Sequence, residues 1–319
     1  MRALHVVERD GGYVAELREV ATPVPGAGEV LLRVLASGVN RADLSQIAGR
    51  YPSPPGEPEG IGLEVSGTIE GTSERVAALL AGGGHAEYVA VPRGQTFPVP
   101  AGLDAIAAAA IPEAFLTAFV NLVVEAQLEA GETVLVHAGA SGVGLAAIQT
   151  AKSLGARVIA TTRSASKLPA LERAGVDLAV LAPGLDFVAP IQAAYGPNAV
   201  DVILDPIGAA AFGGDMAVLA TGGRIISLAT MAGARVELDL SLLMKKRARV
   251  VGSTLRARSR EEKAALVERF RREILPGFES GKLMVSVDAV YTVAYAADAF
   301  QRMRANQNTG KLVIDWTAQ

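Results

Sequence analysis

Over the first hundred residues the apolar positions favour a period of two. Val30, Leu32 and Val34 fall on one face of an alternating, half-buried segment. Ala3 to Val7, Tyr13 to Val20, Leu63 to Ile69, Arg75 to Leu80 and His85 to Val91 read as further short strands. Glycine and proline divide them, which predicts a compact, barrel-like β-rich domain. One short helix, Arg41 to Ala48, interrupts the strands; Asn40 either caps it or points into a site. Tyr51-Pro52-Ser53-Pro54-Pro55-Gly56 is a stiff loop with Tyr51 at its base.

The pattern then changes. From Leu116 a helix leads into alternating strand and helix signals: strands at Val134 to Val136, Arg157 to Thr161, Leu178 to Leu181, Val200 to Leu204, Gly223 to Leu228 and Val250 to Leu255, with a helix at Ser166 to Ala174. Short apolar runs in this rhythm predict a doubly wound parallel sheet, hence an α/β fold. The tail breaks the rhythm. An amphipathic helix from Arg260 to Phe270, a strand at Val285 to Tyr291, a helix at Ala296 to Arg304 and a last strand at Lys311 to Asp315 do not extend the parallel sheet. They are assigned to the first domain, which is then discontinuous.

The stretch that organises the chain is Thr133 to Leu154. A buried strand runs into Ala138-Gly139-Ala140-Ser141-Gly142-Val143-Gly144, and Leu145, Ile148, Ala151 and Leu154 then recur at helical spacing. Strand, glycine turn and helix open a dinucleotide-binding unit, in which a pyrophosphate sits on free amides at a helix N-terminus. The spacing differs from G-x-G-x-x-G. Gly142 and Gly144 are read as letting the backbone approach the phosphates.

Composition narrows the rest. The 319 residues suit two domains, and the net charge of -3 points to neither nucleic acid nor an anionic membrane as partner. With no cysteine, disulfides, Cys-ligated zinc and a thiol nucleophile are excluded together. The three histidines, His5, His85 and His137, are scattered, so no metal site is expected; His137 reads as a core residue. The N-terminus lacks an apolar signal core, and a cytoplasmic location is expected. The longest apolar run, around Ala105 to Ala118, is broken by Pro112 and Glu113, so no run is expected to reach the roughly 20 residues that span a bilayer.

The second parallel strand decides the nucleotide. Sites for NAD carry an acid there for the ribose hydroxyls. This chain reads Thr161-Thr162-Arg163-Ser164-Ala165-Ser166-Lys167, with no acid. Arg163, Ser164 and Lys167 suit a 2′-phosphate, which favours NADPH; the alternative is a solvated basic helix start. No Ser-His-Asp order with a nucleophile elbow is visible, and hydride transfer needs little beyond orientation and a dry pocket.

At these motifs the chain resembles the zinc-free quinone oxidoreductase branch of the medium-chain dehydrogenase/reductase superfamily. The matching pieces are VNRADL (39–44), GRYPSPPG (49–56), GLEVSG (62–67), AAIPEAFLTAF (109–119), VLVHAGASGVGLAAIQ (134–149), ILDPIG (203–208) and TGKLVI (309–314), in the family's order. The resemblance implies a GroES-like catalytic domain (1–115), a Rossmann domain holding NADPH (116–260), a C-terminal segment returning to the catalytic domain (261–319), and an active cleft between the two domains. It also implies a homodimer joined through Rossmann edge strands, here Val250 to Leu255.

Carried over by position, Asn40, Tyr51 and Thr117 line the nicotinamide end, and Gly142, Val143 and Gly144 meet the pyrophosphate. Lys167 matches a 2′-phosphate lysine and Lys311 a cofactor-contacting lysine. Leu228 to Met231, with Thr230, passes the nicotinamide ribose. Tyr51 and Ser141 match residues proposed to assist catalysis. Each has a plainer alternative: a cap for Asn40, loop packing for Tyr51, cofactor positioning for Ser141, an ordinary helix position for Thr117, a solvated cation for Lys311. Glu64 follows Leu63, where zinc-dependent relatives keep a histidine, and reads as structural. Arg256 and Arg258 read as a solvated arm or as anion contacts. The implied activity is NADPH-dependent quinone reduction. The alternatives are reduction of an enone C=C bond, or an NADPH-binding sensor or structural protein with weak turnover.

Overall fold

The computed structural model describes residues 1–9 and 12–318. Two units emerge, Met1–Leu116 with Leu255–Gln319, and Thr117–Thr254.

The first unit is built on a seven-stranded sheet. Its order is Val287–Thr292, Lys311–Asp315, Glu29–Val39, Glu64–Ile69, Arg75–Leu79, Thr96–Pro98, and Tyr88–Pro92 pairs alongside Glu29–Val39 as well. All these pairs are antiparallel except the one between Val287–Thr292 and Lys311–Asp315. Leu32, Val34, Val65, Val76, Ala78, Val89, Val91, Leu312 and Ile314 point into one core, closed by Phe300 and Met303 of the helix Ala296–Arg304. Arg2–Arg9 and Gly12–Glu19 form a separate antiparallel ribbon.

The second unit is a six-stranded parallel sheet. Its order is Leu178–Leu181, Arg157–Thr162, Thr133–Val136, Val200–Asp205, Leu219–Ser227, Arg249–Gly252. The strand order reverses between Thr133–Val136 and Val200–Asp205. In doubly wound sheets ligands bind outside the carboxyl ends of the strands at that reversal. Thr133–Val136 is buried throughout, and Val200–Asp205 is buried except at Asp201, as their apolar runs require.

Two expectations need correcting. The sixth strand is shorter than Val250 to Leu255: it ends at Gly252, and Leu255 onward belongs to the other unit. The segment from Ala105 to Glu125 is one helical run of 21 residues, long and apolar enough by length and composition to cross a membrane. Within it the regular helix is interrupted at 109–111, between Ala105–Ala108 and Pro112–Phe119, and Pro112 opens the second helix, where a proline is tolerated. The fold accounts for its apolarity, since 78% of its most apolar window is buried.

Candidate active site

In the first unit the polar side chains converge beneath Asn40. The strand Glu29–Val39 delivers Asn40 to the start of the helix Arg41–Ile47, where its amide donates to Asp43 Oδ2 at 2.6 Å. The Asn40 side chain turns elsewhere. Its Nδ2 donates to Glu64 Oε1 at 2.9 Å, and its Oδ1 accepts from Lys311 Nζ at 2.6 Å. Lys311 also donates to the Val39 carbonyl at 3.0 Å and pairs with Glu64. Glu64 completes its bonding by accepting the Glu113 amide at Oε2, 2.8 Å away. Glu64 is 0% and Lys311 5% exposed, so each charge depends on the other. Gly38 makes room for this: a Cβ there would strike the Glu64 carboxylate and the Ala109 carbonyl.

A second polar chain supports the first. Trp316 Nε1 donates to Ser37 Oγ at 2.8 Å, and Ser37 Oγ lies 2.8 Å from His85 Nδ1. His85 Nε2 lies 3.3 Å from Asp43 Oδ2. Ser37 Oγ thus sits between the indole donor and the His85 ring, and the ring joins it to Asp43.

Tyr51 is held by Arg256. The guanidinium lies 4.4 Å from the Tyr51 ring centre and donates to the carbonyls of Tyr51 at 3.0 Å, Pro52 at 3.2 Å and Ala81 at 2.7 Å, and to Ser53 Oγ at 3.0 Å. Arg256 is 5% exposed, so the solvated arm expected for it does not exist: the residue fastens the proline loop from below. Burial, and then the negative charge of Glu113, push the Tyr51 hydroxyl above its ordinary pKa, while Arg256 opposes them. Glu113 is pushed up to about 8, by burial first and by Glu64 second.

The second unit supplies a different surface. After Thr133–Val136 the turn at Gly139 is tied to the next strand by Gly139 N–H to the Thr161 carbonyl, 2.9 Å. Ser141 caps the helix Gly142–Ser153, its Oγ accepting the Gly144 amide at 3.0 Å. Among the described residues the amides of Gly142 and Val143 have no protein acceptor, as the first turn of a helix requires. Gly144 carries a packing constraint besides the role read from the sequence. A Cβ there would strike the carbonyls of Ala138 and Gly139, so its glycine lets the helix sit on its own turn. Gly144→Ala is expected to cost about 1–3 kcal/mol, because backbone rather than a side chain must yield; a thermal melt checks it.

The turn after Arg157–Thr162 carries an exposed Arg163, then Ser164 bonded to Ser166 at 2.9 Å, then Lys167. The loop bearing Leu228, Thr230 and Met231 lies along residues 205–208, with Leu228 N–H on the Asp205 carbonyl at 3.0 Å and Met231 N–H on that of Pro206 at 3.2 Å. The glycine turn, residues 205–208 and this loop thus follow the carboxyl ends of three neighbouring central strands. His137 is a buried core residue bonded to Asp215 at 2.8 Å and Thr161 at 2.9 Å. Thr117 is buried in its helix, and its carbonyl accepts from Asn121.

Residues 26–101 match the family model described as alcohol dehydrogenase GroES-like domain, and residues 142–272 the one described as zinc-binding dehydrogenase. A solved structure of the quinone oxidoreductase from Thermus thermophilus, described also in complex with NADPH, is 34% identical, covers 99% of this chain and 100% of its own, and superposes with a TM-score of 0.84. The chain belongs to the zinc-independent quinone oxidoreductase branch of the medium-chain dehydrogenase/reductase superfamily. The Lama guanicoe quinone oxidoreductase is 30% identical over 98% of this chain and 97% of its own length. The human synaptic vesicle membrane protein VAT-1 homolog is 31% identical over 95% and 84%.

Two groups implied by these relatives can be tested against the residues. Zinc does not fit. The chain has no cysteine, Leu63 precedes Glu64, and among the described residues no group of three or more His, Asp or Glu is placed to hold a metal. A dinucleotide does fit. Ser141 leaves the amides of Gly142 and Val143 open at a twelve-residue helix's N-terminus, at the reversal of strand order, with Arg163, Ser164 and Lys167 on the next strand's turn.

Sequence reasoning placed Asn40 and Lys311 separately; the structure puts them in contact. It missed Asp43, His85, Arg256 as an anchor, and Glu113. A lone acid within the apolar run from Ala105 was the available signal for Glu113.

Proposed function

We propose that this chain is a zinc-independent, NADPH-dependent quinone reductase, working in the cytoplasm as a homodimer. The observation that carries the acceptor class is the full-length likeness to quinone oxidoreductases, 34% identical at a TM-score of 0.84. The acid-free turn Thr162–Lys167 supports NADPH over NADH, since two cations there suit a 2′-phosphate. When bound, the reduced nicotinamide supplies a hydride. The chain's residues do the rest. Ser141 orders the turn whose amides receive the pyrophosphate. Asn40 is fixed by Glu64 and Lys311, and Tyr51 by Arg256, so both polar groups are held before an acceptor arrives. Val250 on the terminal strand Arg249–Gly252 is 45% exposed, and this strand pairs on one side only, which supports dimerisation along it.

A second reading, reduction of an enone C=C bond, is favoured by the titratable pair Tyr51 and Glu113, because that reaction needs a proton placed on carbon while quinone reduction can draw one from water. The deciding experiment is steady-state oxidation of NADPH and of NADH with 1,4-benzoquinone, 9,10-phenanthrenequinone and 2-alkenals, repeated with Tyr51→Phe. Fast quinone turnover with NADPH is expected. Alkenal turnover that outruns the quinones and collapses in Tyr51→Phe moves the assignment to the second reading. Tight NADPH binding with no turnover on any acceptor removes both and leaves a binding protein.

A further inference from the structure

His85 is buried in the first unit, and its ring is closely held. Its amide donates to the Ile61 carbonyl at 3.0 Å, and its carbonyl accepts the Leu4 amide at 2.8 Å. Phe300 meets the ring edge-on, with centres 5.7 Å apart. Gly62, at φ +101°, leaves the room, since a Cβ there would strike the His85 backbone and ring. Each ring nitrogen then faces one neighbour: Ser37 Oγ lies 2.8 Å from Nδ1 and Asp43 Oδ2 3.3 Å from Nε2. Asp43 is fully buried too. Its Oδ2 takes both the His85 ring and the Asn40 amide, while Oδ1 has no partner among the described residues. The direction of this carboxylate therefore rests on one oxygen. Without the ring it keeps a single bond, about which it can turn. The Asn40 side chain is aimed by Glu64 and Lys311, and its amide is held by Asp43, so two separate networks clamp one residue. The start of a helix needs neither a lysine nor a histidine.

We infer that His85 is a positioning residue of this enzyme: through Asp43 Oδ2 it fixes the backbone of Asn40, and so the place of the Asn40 side chain at the nicotinamide end. The inference rests on the reductase reading, in which Asn40 lines that end, and deepens it. No proton or electron passes through His85 in this role. It acts at a distance of two bonded contacts, one from its Nε2 to Asp43 and one from Asp43 to the Asn40 amide at 2.6 Å. Its other nitrogen is braced by Ser37, which accepts the Trp316 indole at 2.8 Å, so the last strand's neighbour anchors the far end of the chain of contacts. Small displacements matter here, because misplacing a reacting group by about 1 Å can cost a hundredfold in rate. The effect should fall on kcat rather than on the KM for NADPH. In the same reading the phosphates of the dinucleotide are held by the glycine turn and the basic turn of the second unit, which His85 does not touch.

The two ring nitrogens let the two links be cut separately. His85→Gln places an amide near the Nε2 position and keeps the bond to Asp43. His85→Asn places one near Nδ1 and keeps only the bond to Ser37. His85→Leu keeps neither. In the cofactor-free protein labelled with 15N-asparagine, the Asn40 amide is identified by the loss of its peak in Asn40→Asp. It should exchange with solvent as in the wild type in His85→Gln, and faster in His85→Asn and His85→Leu. The single tryptophan is a second reporter. The Trp316 indole peak should keep its wild-type position in His85→Asn and move in the other two. With saturating NADPH and 1,4-benzoquinone or a 2-alkenal, kcat should fall about a hundredfold in His85→Leu and His85→Asn and recover most of that in His85→Gln, while the KM for NADPH stays near that of the wild type. Equal kinetic losses in His85→Gln and His85→Asn, or losses that follow the melting temperatures of the variants, mean a packing residue and overturn the inference. So does a folded His85→Asn with the wild-type kcat and the wild-type Asn40 exchange. If His85→Leu does not fold, the glutamine and asparagine variants carry the same contrast. A wild type that turns over no acceptor overturns the reductase reading, and the positioning role with it.

Discussion

Lys311→Met is expected to destabilise the protein by about 3–5 kcal/mol, the cost of stranding one partner of a buried ion pair. Glu64 is fully buried and has three partners: Lys311, the Asn40 amide group and the Glu113 backbone. Removing the ammonium leaves a carboxylate inside protein with two neutral donors, and frees the Val39 carbonyl and the Asn40 oxygen from theirs. Combining it with Glu64→Gln should recover most of the loss, because a neutral amide no longer needs a counter-charge. Urea melts of the single and double variants check this. The same series reads the role of Lys311. The resemblance expects this lysine to touch the cofactor, but its three protons are engaged within the first unit. Stability should therefore move far more than the KM for NADPH, and a KM that moved alone would reject the strut.

The second large effect is on cofactor choice. Arg163→Ala/Lys167→Ala should lower the ratio of kcat/KM for NADPH to that for NADH by about a hundredfold. Each charge-assisted contact to a phosphate contributes roughly 1.5 kcal/mol, the low end for such bonds because Arg163 is exposed. Two of them make about 3 kcal/mol, and every 1.4 kcal/mol is tenfold. The loss should fall on NADPH and leave NADH nearly untouched. Raising ionic strength should mimic it in the wild type, since exposed pairs are screened. An unchanged ratio would mean that the basic turn is only a solvated helix start.

The parallel sheet was legible because its strands are continuous apolar runs between turn residues, a signal that needs no tertiary information. The helices Val188–Tyr195, Ala209–Val218 and Leu240–Lys246 were not. Pro190 and the pair Gly213-Gly214 hide the first two behind residues of poor helix propensity, and packing supplies what propensity lacks: Ile191, Phe212 and Met216 are core residues of the second unit. The helix expected at Ser166 to Ala174 starts as a 3-10 turn, Ala165–Lys167, and becomes α-helical at Leu168, with Pro169 in its first turn. The sixth strand was overextended because Thr254 and Leu255 continue a β-prone run, while the path after Gly252 depends on Arg256 finding carbonyls at positions 51, 52 and 81, far away in sequence.

The candidate site shows the same division. Asn40, Tyr51 and Ser141 stand out locally, beside a helix start, a proline loop and a glycine turn. The ion pair of Glu64 with Lys311 joins residues 247 apart in the chain. The charge state of Glu113 depends on burial and on neighbours from two strands, a helix and a loop. No window along the sequence contains such a sum.

The last strand has a consequence in time. Lys311–Asp315 lies between Glu29–Val39 and Val287–Thr292, and Trp316 beyond it reaches Ser37. A chain emerging from the ribosome therefore offers residues 29–39 with an open edge, and a carboxylate at position 64 without its counter-ion, until residues 311–315 are made. Residues 117–254 are continuous and need nothing synthesised later, so the nucleotide-binding half can be complete while the first half still waits. Residues 311–316 supply the closing piece of the unit to which residues 1–116 belong.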